Sequence, residues 1–99
     1  LIYFIRDRIN RCIKIGQTSN VQRSISVLQG GNIHPLEVVE VLSYRIFENY
    51  DHSIPPLTVE WLKAKFRKHK IRNTWFHEEP VLEWLETDCA KNFVVPTYY

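Results

Sequence analysis

At 99 residues and a formal net charge of +2, the chain has the length of one domain. Its 44% hydrophobic and 13% aromatic content can build a core, and the 24% charged fraction excludes the composition of a disordered segment. No apolar run exceeds five residues, against the roughly 20 a membrane-spanning helix needs, so no membrane partner is expected.

Leu1 to Ile5 is an apolar, partly aromatic run; after the polar stretch Arg6 to Arg11, Cys12-Ile13-Lys14-Ile15 partly alternates apolar with polar. The pair reads as a β-hairpin, and Gly16 ends its second strand at a place suited to a missing side chain. Thr18, Ser19 and Asn20 offer helix N-caps, and Ser19 with Gln22 fits a capping box. Val21, Ile25 and Leu28 recur at helical spacing, and Gly30-Gly31-Asn32 stops that helix with residues that tolerate positive φ. Leu36 to Tyr44 is apolar on both faces and is expected as a third, central strand. Phe47 to Pro56 reads as a loop ending in Pro55-Pro56.

A second helix is expected from Thr58 to about His69, with Val59, Leu62 and Phe66 on its buried stripe and Trp61 alongside. Ile71 to Phe76 reads as a connector. A third helix begins near Glu78, whose charge suits a helix N-terminus, and uses Val81, Leu82 and Leu85. The last ten residues carry no clear signal. The expected fold class is α/β (α+β): a small three-stranded antiparallel sheet flanked by about three helices, in the order β-β-α-β-α-α. The domain is expected over residues 1–88, with 89–99 as a C-terminal tail. The start at Leu1 rather than Met fits a domain excised from a longer protein.

Charge is distributed unevenly. Six of the ten residues from Lys63 to Arg72 are basic: Lys63, Lys65, Arg67, Lys68, Lys70 and Arg72. From Glu78 to Asp88 the sign reverses, with Glu83 and Glu86 between. Six cations over two to three turns form a ridge suited to phosphate contact that is mostly independent of sequence. Cys12 and Cys89 show neither a disulfide framework nor a Cys-x-x-Cys spacing, so both are expected as thiols in a cytoplasmic or nuclear setting. The four histidines have no metal-ligand spacing, and His77-Glu78-Glu79 lacks the second histidine of a zinc motif.

The element order and several motifs resemble the GIY-YIG nuclease superfamily, in particular its compact phage and meiotic-upregulated branch. Leu1-Ile2-Tyr3 stands where the family has Gly-Ile-Tyr, and Lys14-Ile15-Gly16 where it has Tyr-Ile-Gly. Leu28-Gln29-Gly30-Gly31-Asn32, then Pro35-Leu36, is similar to that branch's Leu-Gln-Thr-Gly-Asn-Pro stretch, and Phe66 and Trp75-Phe76 match its helix Phe and Trp-Phe pair. The resemblance covers about residues 1 to 86.

It implies hydrolysis of phosphodiester bonds with one Mg²⁺ (or Mn²⁺). A hairpin tyrosine activates or orients water, an arginine steadies the phosphate, and a glutamate holds the metal. The implied catalytic set is Tyr3, Lys14, Arg23 and Glu60, with Glu60 as metal ligand. Each departs from the pattern except Tyr3. Lys14 replaces the second tyrosine and offers a point charge instead of a phenol. The family's arginine position falls on Ser24, one residue or about 100° of helix from Arg23. Its glutamate falls on Val59, beside Glu60. Lys63 and Thr74 replace a histidine and an acid of the branch. The branch's second motif often reads Lys-Ile-Gly, as here; it is the slips at Ser24 and Val59, together with Lys63 and Thr74, that favour a nuclease-fold domain that binds nucleic acid, DNA before RNA, with cleavage weakened or lost. An active endonuclease and a protein-interaction module built on Trp84 and its acidic neighbours are the alternatives.

Overall fold

The computed structural model describes residues 1–45 and 55–95. The loop expected at 47–56 thus lies mostly outside the described residues. Strands β1 (Ile2–Asp7) and β2 (Cys12–Gln17) form the opening hairpin, pairing Ile2 with Gln17 through Asp7 with Cys12. The carboxylate of Asp7 organises its turn. Oδ1 accepts from the amides of Ile9 (3.0 Å) and Asn10 (3.1 Å), and Oδ2 accepts from Asn10 Nδ2 (2.8 Å). This is the self-satisfying turn that aspartate makes readily.

Helix α1 (Val21–Gly30) is capped by Asn20, whose side chain accepts from the Arg23 amide at 3.0 Å. The cap is therefore one residue later than the expected Ser19–Gln22 box. Nor does the helix end in a left-handed residue. Gly31 has φ −96°, and the amides of Gly31 and Asn32 donate to the carbonyls of Leu28 and Gln29 (3.3 and 3.1 Å), a tightened last turn. The Gln29 side chain then clamps the exit, donating to His34 O (2.8 Å) and accepting from the Leu36 amide (2.7 Å).

Strand β3 (Leu36–Leu42) pairs antiparallel with β1, with a register shift between Phe4 and Ile5. Helix α2 (Val59–Lys65) starts on a Thr58 cap and gives way to a 3₁₀ turn at Arg67–His69, short of the continuous helix expected to His69. Strands β4 (Lys70–Arg72) and β5 (Trp75–His77) follow, then helices α3 (Glu78–Leu85) and α4 (Asp88–Lys91).

The sheet has five strands in the order β3-β1-β2-β5-β4, not the three expected. The supposed connector at 71–76 supplies two of them. Their tight turn needs a left-handed residue, and Asn73 provides it at φ 52°. β3 is consequently an edge strand instead of the centre. Its apolar residues on both faces answer to layers above and below, and its open edge is partly covered: Val95 N donates to Val41 O (3.1 Å) and Ser43 N to Phe93 O (2.7 Å).

Strand alternation sorts the core into two layers. Ile2, Phe4, Ile13, Ile15 and Phe76 face Val59, Leu62 and Phe66 of the α2 segment, and Val81, Trp84 and Leu85 of α3, with Ala90 and Phe93 completing that side. Tyr3, Ile5 and Val41 face Val21, with Ile25 and Leu28 of α1 packed against them. One end of the larger layer is closed by charge. Arg6 Nε meets Glu78 Oε2 at 2.7 Å, and Arg8 Nε meets Glu37 Oε1 at 2.6 Å. Among the described residues, both cysteines are free thiols, Cys12 buried and Cys89 exposed.

Candidate nucleic-acid interface

Tyr3 and Gly16 are cross-strand partners on the α1 side of the sheet. The Tyr3 ring lies across the glycine, so that a Cβ built on Gly16 would run into its Oη, Cζ and Cε2 atoms. The glycine is required by this close approach and not by its backbone angles, since among the described residues no glycine has a positive φ. Burial pushes the Tyr3 phenol above its ordinary value of 10.0, making its ionised form less accessible.

Lys14 lies two residues before Gly16 and so on the same face of β2. Its ammonium donates to Thr74 Oγ1 and stands 5.9 Å from the centre of the Trp75 ring, its register neighbour on β5. Burial lowers the Lys14 pKa, and the charge of Lys63 on α2 lowers it further. Two cations thus approach each other, and among the described residues neither has an ion-pair partner.

From Lys63 the ridge continues along the chain. Lys65, Arg67, Lys68, Lys70 and Arg72 are all exposed, on the end of α2, the 3₁₀ turn and the edge strand β4. None of them pairs with a carboxylate among the described residues. Lys65 instead sits over Trp61, 5.5 Å from the ring centre, and Trp61 is 48% exposed. Trp84 is different. It is 6% exposed and packs against Phe4, Trp61 and Phe66 at centroid distances of 6.0–6.3 Å. As a core residue it offers no contact surface, contrary to the role considered for it in a protein-interaction module.

Among the described residues, no hydrogen bond or ion pair joins the remaining site candidates to this group. Arg23 is exposed in the first turn of α1, where its backbone amide serves the Asn20 cap. Ser24, at the family's arginine position, donates to Thr18 Oγ1 at 2.9 Å within the same cap. Glu60 is exposed in the first turn of α2, and it makes no hydrogen bond or ion pair with Tyr3, Lys14 or Arg23. Among the described residues no three His, Cys, Asp or Glu side chains stand together. Glu60, the implied metal ligand, lies three residues from Lys63 on the same helix. Among the described residues these side chains do not form a preformed Mg²⁺ or Mn²⁺ centre of three or more carboxylate, imidazole or thiolate ligands.

Sequence reasoning missed the partners of Lys14. Thr74 entered only as a replaced acid and Trp75 only as half of a Trp-Phe pair. The available signal was the turn residue Asn73 between two short runs, which makes 70–77 a hairpin beside β2. In comparisons with known proteins, no family model, no curated protein and no solved structure matches the chain.

Proposed function

We propose that this domain is a GIY-YIG-like module that binds nucleic acid, DNA before RNA, through its phosphate backbone, with cleavage weakened or lost. The observation that carries the reading is the ridge from Lys63 to Arg72: six cations, five of them exposed, none paired with a described carboxylate, beginning beside Lys14. Exposed cations without carboxylate partners recruit phosphates by releasing counterions and carry no base preference. The Tyr3 ring over Gly16 supports the resemblance, because it couples the two hairpin motifs in space. Loss of cleavage is supported by the chemistry of the set. Lys14 is engaged by Thr74, burial makes the Tyr3 phenol harder to ionise, and Arg23 and Glu60 are exposed, with no hydrogen bond or ion pair to either.

A salt titration tests the binding. If all six cations neutralise a duplex phosphate, the log–log slope of affinity against salt is about −5, and each Lys→Gln or Arg→Gln change on the ridge reduces it by about 1. Binding too weak to measure at low salt would sink the proposal. Incubation with plasmid DNA and Mg²⁺ or Mn²⁺ tests the chemistry: nicking at a rate comparable to an intact relative would show that the site still cuts.

A further inference from the structure

A cleft of about 620 Å³ opens on the α1 side of the sheet, between the β1–β2 turn, the loop after α1 and the β4–β5 hairpin. That volume is on the scale of a small-molecule site and far too small for a duplex. Trp75 forms part of its wall, half-buried, with Ile71 and Arg72 from the adjoining strand, and Asn10 and Asn32 approach from the two loops.

The two amides are oriented by the fold. Asn10 Nδ2 donates to Asp7 Oδ2, which leaves Asn10 Oδ1 as an acceptor with no partner among the described residues. Asn32 Oδ1 accepts from the His34 amide at 3.0 Å, which leaves the Asn32 NH₂ as a donor. An acceptor and a donor beside an aromatic ring match what an unpaired base presents, a π-face and a hydrogen-bonding edge. Asp7 also lines the cleft, but it is 2% exposed and its oxygens are taken by the turn, so it positions Asn10 and does not meet the ligand. Arg72, the last residue of the ridge, lies at the same cleft, where a guanidinium can hold the adjoining phosphate.

We infer that this cleft accepts one unpaired nucleobase of a bound strand, stacked on Trp75, hydrogen-bonded by Asn10 and Asn32, with its phosphate on Arg72. The inference rests on the nucleic-acid reading above and narrows it, from duplex backbone to a backbone with an extruded or single-stranded base.

The test compares three DNA probes of equal length: a matched duplex, the same duplex with one bulged adenine, and the same bulge carrying an abasic residue. Wild-type protein should bind the bulged adenine roughly tenfold tighter than the abasic bulge, the scale expected for one stacked base. Because that difference is built into the DNA, it does not depend on a variant folding. Trp75→Ala should erase the difference between the two bulges, and Trp75→Phe should retain most of it. Equal affinity for the two bulges would overturn the inference while leaving backbone binding intact. No binding to any probe at low salt would overturn the broader reading as well. If adenosine monophosphate alone binds as tightly as the bulged probe, the cleft serves a free nucleotide, and the strand assignment is wrong.

Discussion

Replacing Gly16 with alanine would put a methyl group into space now held by the Tyr3 ring. The new Cβ would lie 2.8 Å from Tyr3 Cε2 and nearer still to Cζ and Oη. Ordinary carbon contacts are about 3.5–4.0 Å, so the overlap with Cε2 alone is roughly 1 Å. Tyr3 is 7% exposed and packed with Ile5, Val21 and Val41, so its ring cannot yield without disturbing that layer. Overpacking of this kind costs about 1–3 kcal/mol. The backbone supplies no counter-argument, because Gly16 does not occupy a positive-φ conformation. Without the ring, alanine should therefore be neutral or stabilising by about 0.4–1 kcal/mol, through loss of freedom in the unfolded chain. Leucine at position 3 ends where the ring's Cδ atoms lie and removes the clash. In urea unfolding followed by the fluorescence of buried Trp84, Gly16→Ala should lower stability by about 1–3 kcal/mol in wild type. In a Tyr3→Leu background the same change should cost nothing. For a domain of this size, each kcal/mol moves Tm by about 4–8 °C. An equal cost in both backgrounds would refute the contact as the reason for the glycine.

Removing a helix cap by Asn20→Ala or Thr58→Ala should each cost about 1 kcal/mol in the same unfolding assay, whereas Ser19→Ala should change little. Asp7 gives a pH signature. Burial alone would raise its carboxyl, but hydrogen bonds from Asn10 and Ile9, with the charge of His34, bring it below its ordinary 3.8. Its ionised form thus stabilises the fold above that value and loses the contribution as pH falls toward the lower folded pKa; Asp7→Asn should flatten this acid limb of stability against pH. Lys14 has the opposite cost. Its folded pKa is depressed below 10.5, so stability should rise with pH between the folded value and 10.5, and Lys14→Met should abolish that rise. The same variant should be more stable than wild type at pH 7 in urea unfolding and bind DNA more weakly in the salt titration.

The sequence revealed those parts of the fold whose pattern is local and long enough to read. The hairpin shows in the apolar run at 1–5 and the glycine at 16, the first helix in Val21, Ile25 and Leu28, and the third in Val81 and Leu85. The β4–β5 hairpin did not show, because each strand has three residues and the outer one reads Lys-Ile-Arg. Exposed edge strands have little reason to be apolar, so periodicity is silent there. β3 misled in the other direction: side-chain pattern reports what lies above and below a strand, not how many strands flank it. α4 has four residues and shows only in its Thr87 cap. At the interface, Lys14 and the ridge were legible as charges, whereas the partnership of Lys14 with Thr74 and Trp75 depends on pairing across about 60 residues and had no local signature.

Lys14 ties the fold to the proposed function. A strand lysine half-buried beside another cation is unfavourable on both of the usual grounds, desolvation and like-charge repulsion. The Thr74 hydroxyl and the face of Trp75 offset only part of that cost, and no described carboxylate stands by to offset the rest. A phosphate placed between Lys14 and Lys63 would reverse both terms at once, since its charge attracts both ammonium groups and removes their mutual repulsion. Binding should then raise the Lys14 pKa and take up protons at alkaline pH, a coupling that a merely solvated surface lysine would not produce. The unfavourable placement in the free protein is thus the mirror image of affinity for an anion.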